Sequence, residues 1–189
     1  MADKLVDYAT KSLVHHIETH VSVDNAYIVT PDFDWNRKPN PSDPGNKTTA
    51  RGLPYAAVQL IGSLEEPWSS SANILYQSDI SVDIHICAGT YTACVQNTSD
   101  VKQSLNSASS VVSGVGITLY DFATPSGGFY TAAGTLQIET KGTEYMMAES
   151  QDEESNIKFR SVTPVSMTAF RDVTATLLEN KGRINLTDS

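Results

Sequence analysis

Cysteine, basic side chains and long apolar runs are all scarce in this chain, and each shortage removes a class of protein. Cys87 and Cys94 are the only cysteines. Their spacing fits neither a CxxC redox pair nor a zinc site, and free thiols are expected rather than a disulfide. Lys and Arg number 13 against 22 Asp and Glu, a formal net charge of -9. That balance argues against a general nucleic-acid binder, whose affinity depends on neutralising phosphates. No apolar stretch approaches the ~20 residues that span a bilayer, so a membrane protein is not expected. The start, Met1 to Asp7, lacks the basic residues and apolar run of a secretory signal, and export by that route is not indicated. Under that reading the triplets at Asn46, Asn97 and Asn185 are chance matches to a glycosylation site.

What is present reads as a single domain over 1–189, long enough to bury a core without disulfides or metal. Residues 3–21 form an amphipathic helix, with Leu5, Val6, Ala9, Leu13, Ile17 and Val21 at three- and four-residue spacings. Ala26 to Val29 is a short strand. From Pro31 to Gly52 four prolines break all periodicity, giving a long loop over 31–52 that is functional or disordered. Leu53 to Ile61 is a buried strand, and Gly62 to Ser71 a connection. Ile80 to Cys87 then alternates strictly, the pattern of a strand with one buried face. Asn97, Thr98 and Ser99 supply N-cap candidates for a second helix along Val101, Leu105, Ala108 and Val112, closed by Gly114. Ile80, Val82, Ile84 and Ile86 are expected to bury against this helix, while Ser81, Asp83 and His85 face away. Strands follow from Val115 to Phe122, Phe129 to Thr140 and Ile157 to Phe170, with Glu149 to Glu154 an exposed acidic loop and Pro164 a break, bulge or edge. The whole is an α+β fold, a mostly antiparallel or mixed sheet with the N-terminal helix and a second helix on one face. A segment over 124–156 and an end over 171–189, a tail or an arm that orders on a partner, complete it.

Candidate chemistry is sparse. His16 and His20 have the i, i+4 spacing of a shared metal, yet Glu18 is misplaced for HExxH and both residues flank the apolar stripe. Asp32, Asp34, Asn36 and Asp43 match oxygen positions of a calcium loop, but Arg37 stands where the turn needs Gly and Pro39 and Pro41 stiffen the middle. There is no GxSxG elbow, no GxGxxG and no GK[ST]. Glu65 with Glu66 and Asp79 with Asp83 read as solvated charge rather than as acid and base. Cys87 reads as a small buried hydrophobe. No cofactor, metal or catalytic residue is expected. An enzyme would gain weight only if His85 shared a cleft with an acid.

The order of a helix, a short strand, a long loop, a strand opening Leu53-Pro54-Tyr55-Ala56-Ala57-Val58, the alternating strand Ile80 to Cys87, a helix and closing strands resembles the tail terminator and tail completion (neck) proteins of tailed bacteriophages. The likeness covers most of 3–170 and rests on layout. It implies a structural virion protein of the tail or neck, assembled in the host cytoplasm. Such a protein forms a homo-oligomeric ring, a hexamer in the family, at the head-proximal end of the tail tube. There it stops tube polymerisation and joins the tail to the head connector, a task without enzyme chemistry. The implied partners are further copies of itself, the tail tube protein, the connector protein, and DNA passing through the lumen without specific binding. The long loops exceed the family layout and are assigned to neighbouring rings, with Phe33, Trp35, Arg37, Lys38, Arg51, Phe129 and Tyr130 as interface residues. A different reading stays open: a small-molecule or carbohydrate binding module whose aromatic loop folds over a ligand.

Overall fold

The computed structural model describes residues 2–23, 25–38, 49–70, 73–108, 116–126, 129–147 and 156–172. The apolar stripe of the N-terminus forms α1 (Ala2–His20). Four short or long strands follow, β1 (Ala26–Ile28), β2 (Arg37–Lys38), β3 (Thr49–Ala50) and β4 (Tyr55–Ser70), then β5 (Asn73–Ala88) and α2 (Tyr91–Ala108). Four strands close the order: β6 (Ile117–Ser126), β7 (Phe129–Thr140), β8 (Glu144–Met147) and β9 (Phe159–Asp172). The expected α+β class holds.

Among the described residues the main sheet runs β1-β4-β5-β9-β7-β6, with β8 also on β9. β1 is parallel to β4 and the other pairs are antiparallel. Both helices lie on one face. Leu5, Leu13 and Ile17 of α1 and Val101 and Leu105 of α2 join Val58, Ile80, Val82, Ile84, Ile86, Val165 and Met167 in one core. The alternating residues of β5 therefore bury as the sequence predicts; Val112 and Gly114 lie outside the described residues. Hydroxyl groups tie the layers where side chains are too short to pack. Thr98 Oγ1 lies 2.6 Å from Ser161 Oγ across α2 and β9, and Ser12 Oγ accepts the Tyr120 N–H at 2.9 Å.

Three expectations are corrected. The second helix begins at Tyr91, eight residues before Ser99. Thr90 is its cap, accepting the Ala93 N–H at 3.2 Å. Asn97 and Thr98 sit inside the helix and donate back to the carbonyls of Ala93 and Cys94, the other bonding mode open to such side chains. The connection expected over Gly62 to Ser71 is strand instead: a register shift between Leu60 and Gly62 lets β4 continue, and β4 and β5 form one long hairpin. Pro67 fits there because β1 pairs only with Ala56 to Val58, leaving the outer edge of β4 without a ladder among the described residues beyond that point. Third, β8 adds a strand between β7 and β9, within the 124–156 segment.

Pro164 lies inside β9, opposite Asp83 of β5. The outer neighbour of β9 changes there, from β7 at Val165 to β8 at Val162. A residue with no N–H falls where no ladder partner needs one. Residues 148–155, which hold most of the acidic loop, and 173–189 of the expected arm lie outside the described residues, while Arg171 and Asp172 belong to β9.

Gly116 is fixed by close approach, since a Cβ there would stand 2.2 Å from the Leu136 carbonyl oxygen, whereas one at Gly62 would meet nothing within 4 Å. Gly116→Ala is expected to lower unfolding free energy by about 1–3 kcal/mol and Gly62→Ala to change it by no more than about 0.5 kcal/mol in urea titrations.

Candidate functional site

The back of the sheet, opposite the helices, divides into a covered half and an open half. At the covered half, residues on both faces are buried: Tyr55, Ala57 and Cys87 on the back, Ala56, Val58 and Ile86 on the front. The cover comes from the long loop. Phe33 and Trp35 fold onto this face and pack with Tyr27, Val29 and Leu53 against Tyr55, Ala57, Cys87 and Ile157.

Local bonds set the course of this part of the loop, residues 31–38, an aromatic arm laid on the sheet. Asp34 Oδ1 accepts the N–H groups of Asn36 and Arg37 at 2.9 and 3.0 Å, closing a turn, and Asp32 Oδ1 accepts from Thr30 Oγ1 at 2.7 Å. Asp32 and Asp34, which match calcium-loop positions, are thus engaged in shaping the backbone; Asp43 is outside the described residues. The Tyr55 hydroxyl donates to the Trp35 carbonyl at 2.6 Å, and burial pushes that phenol well above its usual range.

Two guanidinium groups occupy the aromatic faces. Arg51, buried, lies 4.2 Å from the Tyr27 ring centre and 4.1 Å from that of Phe33, and its Nε donates to the Asp34 carbonyl at 2.7 Å. Arg160 of β9 lies 3.9 Å over the Trp35 ring. Its Nε and Nη2 reach His85 Nδ1 at 3.2 and 2.8 Å. Because a guanidinium only donates, Nδ1 must carry a lone pair, and the ring proton sits on Nε2, which donates to Gln59 Oε1 at 3.1 Å. Burial, and then the Arg160 charge, lower the His85 pKa to about 4.

Several expectations meet this geometry. His85 does point away from the helices, but it is buried under Trp35 rather than solvated. Phe33, Trp35 and Arg51, assigned from sequence to an interface, are packed within their own chain. Arg37 and Lys38 form β2, a short ribbon with β3. Tyr130 is 41% exposed, its ring 4.4 Å from Phe122, and it stands far from the arm in the order of strands. Phe129 lies in β7. His16 binds across to α2, Nε2 to Ser104 Oγ at 2.7 Å, and stacks on His20 with ring centres 4.2 Å apart. Burial first, then His20, hold the His16 pKa down to about 4. Burial raises the Cys87 thiol to about 11, the behaviour of a structural cysteine. Among the described residues no group of three or more His, Cys, Asp or Glu could hold a metal ion, and no helix is long and apolar enough to cross a membrane.

The open half of the back carries a different chemistry. Register places Leu64, Asp79, Thr168 and Gln137 in one cross-strand row, Gly62, Ser81, Ser166 and Glu139 in a second, and Gln59, Asp83 and Pro164 in a third. These rows hold three carboxylates and no Lys or Arg. Beside them, on the outer strand β4, Leu60, Ile61 and Leu64 are 43, 57 and 60% exposed. Sequence reasoning missed this patch because it read Leu53 to Ile61 as buried throughout, where Leu60 and Ile61 are exposed, and placed a connection where β4 runs on past Gly62.

No family model matches the chain, and no curated protein matches significantly. Among solved structures, a chain of "Virion of native gene transfer agent (GTA) particle" aligns with 9% identity over 90% of this chain and 92% of that one, at a TM-score of 0.36. That likeness is too slight to bear on fold or function.

Arg160 and Trp35 should be energetically coupled. A double-mutant cycle with Arg160→Leu and Trp35→Leu is expected to give a coupling of about 0.5–2 kcal/mol in chemical denaturation, and additivity within about 0.3 kcal/mol would contradict the contact.

Proposed function

We propose that this chain is a structural virion protein of the tail terminator kind, without a catalytic step. It forms a ring at the head-proximal end of a tail tube, stops the tube's growth and joins it to the head connector. The observation that carries this reading is the open half of the sheet back, an acid-bearing face flanked by a strand edge that is unpaired among the described residues and carries exposed Leu60, Ile61 and Leu64.

Both parts have physical uses in such a ring. A long strand edge with apolar side chains is a template for pairing with another chain, and soluble proteins that keep one commonly cover it in an assembly. Rows with three carboxylates and no Lys or Arg repel phosphate, so a duplex can pass them without adhering. The layout of helix, loop, hairpin, helix and closing strands is the layout that resembles the terminators. The partners in this reading are further copies of the chain, with six as the family's number, then the tube protein and the connector. The binding-module alternative loses ground because the faces of Phe33 and Trp35 are taken by Arg51 and Arg160, leaving the aromatic arm engaged with its own sheet.

Light scattering and negative-stain imaging of the purified chain test this. Rings, alone or on tube ends, are expected, and replacing Leu60, Ile61 and Leu64 together by Ser is expected to reduce them while thermal unfolding stays cooperative. A chain that remains monomeric at all concentrations and never binds tubes would overturn the proposal.

A further inference from the structure

The covered half of the sheet back holds a histidine that nothing in a ring role requires. His85 sits near the C-terminal end of β5, bonded to Arg160 on one side and Gln59 on the other, with the Trp35 ring edge-on at 5.1 Å. We propose that His85 is an acid-sensitive catch: its neutral ring holds the arm carrying Phe33 and Trp35 on the sheet, and protonation releases that arm. This stands apart from the ring reading and does not depend on it.

The geometry carries the inference. Neutral His85 offers Arg160 a lone pair at Nδ1, and that bond fixes the guanidinium over Trp35. Adding a proton to Nδ1 turns the acceptor into a donor facing two other donors and sets two cations in contact on a buried face. Arg160 cannot give up its proton, so the contact must break. Once Arg160 swings away, Trp35 loses its cation and one side of its packing. Among the holds that remain on the arm are the Arg51 stack on Tyr27 and Phe33, the Arg51 bonds to the Asp34 and Asn36 carbonyls, the bond from the Tyr55 hydroxyl to the Trp35 carbonyl and the apolar packing of Phe33.

The charged and titratable groups around this ring come from β9, the loop, β4 and β5. From β9 comes Arg160, and from the loop come Arg51 and Asp34, whose Oδ1 is held by two backbone N–H groups. From β4 come Gln59 and the Tyr55 hydroxyl, and from β5 Cys87 and Asp83. Tyr55 and Cys87 are pushed toward their neutral forms by burial. The sign follows from the direction of the His85 shift. With the folded pKa near 4 against 6.5 in the unfolded chain, the catch contributes stability above about pH 6.5. That contribution shrinks as pH falls and is gone below about 4.

The experiment follows Trp35 emission in the full chain with Trp68→Phe, so that Trp35 is the one tryptophan. Acid titration should give a reversible red shift centred near pH 4, with far-UV dichroism still native. Trp68→Phe combined with His85→Gln, whose amide oxygen can accept from Arg160 but cannot titrate, should lose that shift. The shift surviving in the Gln variant, Trp35 emission unchanged at pH 3.5, or loss of the whole fold in step with the shift would each overturn the proposal. Should either variant fail to fold, ring NMR of the unsubstituted chain decides: the His85 ring and Trp35 indole signals are expected to titrate together, and independent titration refutes the catch.

Discussion

β5 is paired along both edges, with β4 on one side and β9 on the other, and everything else in this chain hangs on that double ladder. Its front residues, Ile80, Val82, Ile84 and Ile86, are each almost fully buried and supply the floor on which both helices rest. Its back residues meet two environments. His85 and Cys87 lie under the aromatic arm, while Ser81 is exposed and Asp83 is partly so. One strand thus sets a three-layer structure at one end and a two-layer structure at the other, and the boundary falls between Asp83 and His85.

The covered end is held by polar contacts in an apolar setting. Arg51 and Arg160 spread their charge over aromatic faces and donate to a carbonyl and an imidazole. A guanidinium suits this site because it is planar and weakly hydrated, where an ammonium would leave donors unsatisfied. Cation–aromatic contacts of this kind contribute on the order of 1 kcal/mol each. Ser78, buried on the front with no hydrogen-bond partner for its hydroxyl among the described residues, is the opposite case; nothing in the structure accounts for it.

Much of the frame was legible because period carries fold. The stripe from Leu5 to Val21 and the alternation of β5 each state which face is buried. The start of α2 was hidden because Asn97, Thr98 and Ser99 look like caps, while Thr90, the residue that caps, follows Gly89 in a stretch that reads as strand end. The far half of β4 was hidden because Gly62, Ser63 and Pro67 are turn-prone residues, and a bulge, with an edge unpaired among the described residues, makes them acceptable in a strand. Phe33 and Trp35 stood out in a polar loop, but a loop's composition does not say which surface it returns to. His85 gave no local sign of burial, since its cover arrives from fifty residues upstream.

In the proposed ring, the chain's own packing rests on β5 and its outward pairing on the edge of β4 beyond Val58. Amide hydrogen exchange, compared between the free chain and its assembled form, measures both at once. Slow exchange is predicted across Ile80 to Cys87 in either form, with new protection on assembly concentrated at Gln59 to Leu64. Fast exchange in β5, or protection gained elsewhere while the β4 edge stays open, would contradict it.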